Sequence, residues 1–341
     1  MIRARTPLRL SFGGGGTDVS PYPEEKGGCV LNATINLYVY GTLIPNHASS
    51  INIRSLDYDS VIRYTKTADL DFNGQMDLAK AVIKRFEPNQ FTEKTGFDLY
   101  LHGDAPPGSG LGSSSTFVVT LIGLFKEWQG LPLTPYEIAE RAFEIERIDV
   151  GIRGGRQDQY AATFGGFNFI EFLKDQVIVT PLKLNPLLIN ELEYNLLLCY
   201  TGGTRESQKL IEKQTQNYRS QNKITMEALD QIKQTAMDMK KALLLGKLNA
   251  FGELLHHEWN YKKSMAEGIT TPYIDELYEE ARNIGAIGGK IAGAGGGGYM
   301  LLYCPFHKKH KVSKKLSEMG GQMIGFRFDL AGLQAWRVQN D

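Results

Sequence analysis

Residues Asp104–Thr116 read DAPPGSGLGSSST, a glycine-rich turn that constrains what can precede and follow it. The β-prone segment Gly96–His102 leads in, and the continuous apolar run Phe117–Trp128 leads out, which suits only a buried helix that carries on from the serines. A turn between a strand and a helix N-terminus offers free backbone amides and the positive end of the helix dipole to an anion. Glycine has no Cβ, so such a backbone can close on a ligand, and phosphate is the natural guest. Two familiar nucleotide loops do not match: no lysine stands where GxxxxGK[ST] requires one, and after Gly108 and Gly110 the third position of GxGxxG is Ser113. Three adjacent hydroxyls, Ser113, Ser114 and Ser115, exceed what one N-cap needs. A serine hydroxyl can ligate Mg²⁺ or donate to a phosphate oxygen.

Upstream, Ile2–Phe12 alternates like a half-buried strand, Cys29–Ile44 is rich in β-branched and aromatic residues, and Ile51–Thr65 reads as a hairpin. Asp77–Phe86 has helical spacing. Downstream, Thr134 and Pro135 form an N-cap and first-turn pair for a helix reaching about Ile148, which the glycine-rich GIRGGRQDQY ends. FGGFNFIEF and VIVTPL read as strands, and Pro181 and Pro186 bracket a domain boundary. Then come a strand over Glu193–Tyr200 and helices over Arg205–Tyr218, Met226–Leu245 and Leu248–Ala266. In the middle helix Leu229, Ile232, Ala236, Met239 and Leu243 make one apolar stripe, so its methionine belongs to the core. The chain closes with a helix (Tyr273–Ile284), a strand, the loop AGAGGGG (Ala292–Gly298), a strand (Tyr299–Cys304), a helix and a strand (Gln322–Phe328). This mixed order predicts an α+β fold in two domains, 1–183 and 184–341.

At 341 residues, with 42% hydrophobic and 22% charged residues, the chain can bury large cores without disulfides or metals. Its 38 basic and 38 acidic side chains cancel, leaving no global field for nucleic acid or an anionic membrane, so an anionic ligand needs a local site. Cys29, Cys199 and Cys304 lack CxxC spacing and are expected as buried free thiols in a reducing cytoplasm. MIRARTPLRLSF has no apolar signal-peptide core, and no run of about 18 apolar residues occurs. The basic run HKKHK, His307–Lys311, reads as a solvated helix face.

Two more glycine loops, FGGGGTD (Phe12–Asp18) and AGAGGGG, complete an ordered set. TPLRLSFGGGGTD, PPGSGLGSSST and KIAGAGGGGY together resemble the three motifs of the GHMP kinases, across nearly the whole chain. That resemblance implies an N-terminal domain like ribosomal protein S5 domain 2, a ferredoxin-like C-terminal domain, and an active site between them. It implies that ATP is held by Pro107, Gly108, Ser109, Gly110, Leu111, Gly112, Ser113, Ser114 and Ser115, with Mg²⁺ on Ser114 and on Glu146 of AFEIER. The catalytic aspartate falls on Asp158 of GGRQDQY, accepting or orienting the acceptor hydroxyl, with Arg9 beside it to offset charge on the transferred phosphoryl group. Asp18, with Gly15, Gly16 and Thr17, corresponds to the sugar-binding end of the first motif. Gly295 and Gly296 of the third motif are also assigned to the acceptor. Galactokinase-like members carry GEHTD where this chain has GGGTD, which argues against galactose. GGGGTD, GGRQDQYAA, TGGTRES and GITTPYID are similar to a branch that phosphorylates the anomeric hydroxyl of a heptose already bearing a 7-phosphate. A second phosphate needs its own cations, for which Arg153, Arg156 and Arg205 are the candidates. A fucokinase-like sugar 1-kinase and a non-catalytic ATP and sugar sensor are the alternatives. The expected partner is a small sugar phosphate, and the protein itself a monomer or homodimer.

Overall fold

Alternation along β1 (Ile2–Gly13) places Leu8, Leu10 and Phe12 in a hydrophobic core and turns Arg9 and Ser11 to the opposite face. The computed structural model describes residues 1–46, 48, 50–56, 60–64, 70–86, 96–203 and 207–339. The short helix α1 (Tyr22–Lys26) separates β1 from β2 (Gly28–Asn46), which is long enough to serve two neighbours on one edge. The hairpin β3 (Ile51–Ser55) and β4 (Ser60–Tyr64), helix α2 (Asp77–Arg85) and β5 (Gly96–Gly103) follow. The later half of β2 pairs with β5, while its first half pairs with β6 (Phe167–Phe172), itself next to β7 (Val177–Pro181). Helices α3 (Ser113–Gln129) and α4 (Pro135–Phe143) pack on this sheet, burying Val118, Leu121, Ile122 and Phe125 against Leu43, Leu99 and Leu101.

Helix α4 opens with the expected Thr134 cap, a full capping box with Glu137, and passes into a π-helical turn, Glu144–Asp149. Helix α5 (Gln157–Phe164) starts directly after the glycine turn. The expected strand over Glu193–Tyr200 is only half right. Asn185 caps and Pro186 starts helix α6 (Pro186–Asn195), and the strand β8 (Leu196–Tyr200) begins after it. Helices α7 (Ser207–Arg219), α8 (Lys223–Leu244), α9 (Leu248–Ser264) and α10 (Pro272–Ile284) succeed one another, then β9 (Gly288–Ile291), β10 (Tyr299–Tyr303) and α11 (Phe306–Glu318).

A second sheet runs β11 (Gln322–Ile324), β8, β10, β9, all antiparallel. The predicted strand to Phe328 stops at Ile324, with only a single bridge from Phe328 to Ile35. One segment falls across the expected division at 183: the final strand β12 (Gln334–Arg337) returns to pair with β1. Leu8, Leu10 and Phe12 share a core with Ala236, Met239, Phe251 and Leu255 of α8 and α9, so the first strand is clamped from both sides. All three cysteines are buried and free.

Candidate active site

The three glycine loops meet at one end of this clamp. A Cβ on Gly110 would lie 2.4 Å from the Ala292 carbonyl oxygen, and one on Gly298 would lie 2.2 Å from that of Ser109, so the second and third loops touch backbone to backbone. Only glycine permits that approach, and both residues also have positive φ. The loops surround a cavity of about 770 Å³, a size suited to a small ligand.

On one wall, Arg9 is nearly fully buried, 3% exposed. Its Nε donates to Asp158 Oδ1 at 2.8 Å, its Nη2 sits 2.7 Å from the same oxygen, and its Nη1 donates to the Gly110 carbonyl at 2.5 Å. Asp158 stands in the first turn of α5, close against Gly112. Both line the cavity.

Beside this pair, α3 begins at Gly112, whose φ of 78° supplies the entry without a side-chain cap. The serines are therefore not caps. Ser114 donates to Glu146 Oε1 at 2.7 Å and Ser115 to Oε2 at 2.5 Å, while the Ser113 hydroxyl has no partner among the described residues. Glu146 sits in the π-helical turn, buried, and also accepts from Gln159 Nε2 at 2.7 Å, with Arg147 Nη1 3.3 Å from Oε1. One carboxylate and one hydroxyl are the hard oxygen donors that Mg²⁺ takes when phosphates supply the remaining ligands.

The first loop carries Asp18, buried and held by Gln157, whose backbone N donates to Oδ2 at 3.1 Å and whose Nε2 lies 3.2 Å from both oxygens. Gly15, Gly16 and Asp18 line the cavity. Thr17 does not: its hydroxyl is 2.8 Å from the Gly14 carbonyl and accepts from Cys29 N at 3.0 Å, which fixes the loop to β2. Among the second-loop residues, Pro107, Gly108, Gly110, Gly112, Ser113, Ser114 and Ser115 face the cavity. Ser109 and Leu111 are buried behind it, their carbonyls accepting from Tyr299 N and Arg9 N. In the third loop the lining residues are Gly293 and Ala294, whereas Gly296 N is tied to the Ile269 carbonyl at 2.7 Å and Gly295 packs on Ile269.

The three arginines separate. Arg153 lines the cavity, exposed, with Glu212 3.8 Å away. Arg156 turns aside, its Nη2 3.0 Å from Glu140 and its guanidinium 4.4 Å from the Phe143 ring. That ion pair and stacking with α4 account for it. Arg205 lies outside the described residues.

The sequence pattern gave no hint of a buried charge cluster beneath the first loop. Lys262 Nζ donates to the Gly15 carbonyl at 3.1 Å; Lys290 Nζ donates to Phe12 O and lies 3.2 Å from Glu258 Oε1, which also accepts from Gly14 N. Burial pushes the Lys262 ammonium down to about 8, Lys290 adds to the effect, and Glu258 and Asp18 oppose it. Burial pushes the Glu258 carboxyl up.

Three glycine loops, a buried arginine paired with an aspartate, and a carboxylate bonded to two serines line one cavity, and the chain belongs to the GHMP kinases. Residues 77–166 match the GHMP kinases N-terminal domain and residues 239–322 the GHMP kinases C-terminal domain. Over 338 residues, 99% of both chains, it is 41% identical to the D-glycero-alpha-D-manno-heptose 7-phosphate kinase of Campylobacter jejuni. The crystal structure of a D-glycero-D-manno-heptose 1-phosphate kinase from Bacteroides thetaiotaomicron superposes with a TM-score of 0.84 at 38% identity, covering 100% of each chain. Similarity to the L-fucokinase/L-fucose-1-P guanylyltransferase of Bacteroides fragilis is lower, 28% over 89% of this chain and 34% of that one.

Proposed function

We propose that this ATP-dependent sugar kinase transfers the γ-phosphoryl group of ATP to the anomeric hydroxyl of a heptose 7-phosphate, giving the 1,7-bisphosphate. The observation that carries the reading is that the Arg9–Asp158 pair and the Ser114–Glu146 pair line one cavity. The triphosphate would lie on the second loop at the start of α3, where backbone amides and hydroxyls meet it. Asp158 accepts the proton of the acceptor hydroxyl as that oxygen bonds to the γ-phosphorus and the bond to the β-phosphate oxygen breaks, releasing ADP. Arg9, fixed by Asp158 and Gly110, places positive charge beside the developing negative charge without needing to reorganise. Mg²⁺, held by Glu146 and Ser114, would supply charge neutralisation on the phosphates. Asp18 would receive sugar hydroxyls, and Arg153, in reach of the cavity, would meet the acceptor's own phosphate.

The two heptose kinases above are named for phosphates at different positions, so the test supplies both sugars. Purified protein is given Mg·ATP with heptose 7-phosphate, heptose 1-phosphate, unphosphorylated heptose or fucose, and products are identified by ³¹P NMR. A new anomeric phosphate on the 7-phosphate alone is expected. Turnover of the 1-phosphate, or equal turnover of fucose, would overturn the assignment.

A further inference from the structure

Two buried polar atoms on residues that line the cavity have no partner among the described residues. The Ser11 hydroxyl is on a residue 4% exposed, and Gln157 Oε1 is on a residue 9% exposed; both side chains line the cavity. An unpaired buried polar atom costs stability, so one that opens onto a ligand cavity calls for a ligand group.

The two atoms belong to one locus. A methyl group placed on Gly15 would be 3.7 Å from Ser11 Oγ and 3.7 Å from Gln157 Nε2. Ser11 shares a strand face with Arg9, two residues away, and Gln157 directly precedes Asp158. The orientation of the Gln157 amide is set by Asp18: the NH₂ group must point at that carboxylate, which leaves the oxygen as the free end.

Building on the kinase reading, we infer that Ser11 and Gln157 together recognise one acceptor hydroxyl, the one on the carbon next to the reacting hydroxyl. For an anomeric acceptor that is the C2 hydroxyl. The chemistry selects a hydroxyl. It can donate to Gln157 Oε1 while accepting from the Ser11 hydroxyl, whereas a carboxylate or phosphate cannot donate and an ammonium cannot accept. A site built to pair a substrate hydroxyl discriminates against the analogue that lacks it, because its own groups are then stranded.

The experiment compares kcat/KM for D-glycero-D-manno-heptose 7-phosphate and its 2-deoxy analogue in the wild type, in Ser11→Ala and in Gln157→Met. The wild type should prefer the C2 hydroxyl by roughly 10- to 100-fold. Ser11→Ala breaks no hydrogen bond among the described residues, so it should keep its melting temperature and its KM for ATP while losing most of that preference. Gln157→Met should lose the preference too, and because it also frees Asp18, Ser11→Ala stands as the decisive variant if Gln157→Met is poorly folded. Retention of the full preference by Ser11→Ala overturns the inference. So does a lowered melting temperature with an unchanged ratio, which would assign the hydroxyl to the buried Asn32 paired opposite it on β2. A wild type that phosphorylates neither sugar counts against the kinase assignment itself.

Discussion

Lys262 is expected to destabilise the protein that keeps it. Displacement of its ammonium from 10.5 to about 8 corresponds to about 3 kcal/mol, at about 1.4 kcal/mol per tenfold change in proton affinity. The sign follows from proton counting. Between about pH 8 and 10.5 the unfolded chain binds a proton that the folded chain has released, so this group makes stability rise with pH across that window, and its full cost is present below pH 8. Lys262→Met removes the cost but also the hydrogen bond to the Gly15 carbonyl, worth about 1 kcal/mol. The variant should therefore be about 2 kcal/mol more stable than wild type at pH 7, with the gain gone near pH 10 and the wild type the more stable above it by up to about 1 kcal/mol. Lys290, Glu258 and Asp18 face the same ammonium, so the difference between variant and wild type, rather than either curve alone, is the quantity to follow. Urea unfolding of both proteins at pH 7, 8, 9 and 10 gives it, and kcat/KM for the acceptor should fall in the stabilised variant because Lys262 lines the cavity. A variant less stable at pH 7, or a difference that does not change with pH, would refute the reasoning.

Glu146→Gln should raise the Mg²⁺ concentration needed for half-maximal rate by an order of magnitude or more, read by metal titration of activity, since the carboxylate bonded to Ser114 and Ser115 is lost. Arg9→Met should lower kcat by roughly 10²- to 10³-fold, with KM for ATP little changed in steady-state kinetics. Gly155→Ala puts a methyl 2.0 Å from Asp18 Oδ2, so it should raise KM for the acceptor and cost about 1–3 kcal/mol in urea unfolding.

Much of the site could be read from residue order because each motif is local. Gly110 and Ser114 sit in a loop whose chemistry follows from its neighbours, whereas Glu146 and Asp158 read as ordinary helix carboxylates and are singled out only by the resemblance to the GHMP kinase motifs. What could not be read depends on distant chain segments. Lys262 and Glu258 look like ordinary charges on a helix, and only the packing of α9 under β1 buries them. Arg156 looked like a phosphate ligand beside Asp158, but the backbone turn before α5 swings it to Glu140 and Phe143. The Asn185–Pro186 pair is a helix start that also looks like a linker, which hid α6, and β12 is four residues long with no pattern until β1 receives it.

The most direct test is single-turnover phosphoryl transfer by Asp158→Asn, with Mg·ATP and heptose 7-phosphate saturating and bound ATP measured in parallel. The shape of the side chain is kept while its capacity to accept a proton is lost. A rate lower by roughly 10²- to 10⁴-fold with ATP affinity unchanged is the predicted result. A rate close to that of the wild type would contradict the assignment of Asp158 as the group that activates the acceptor.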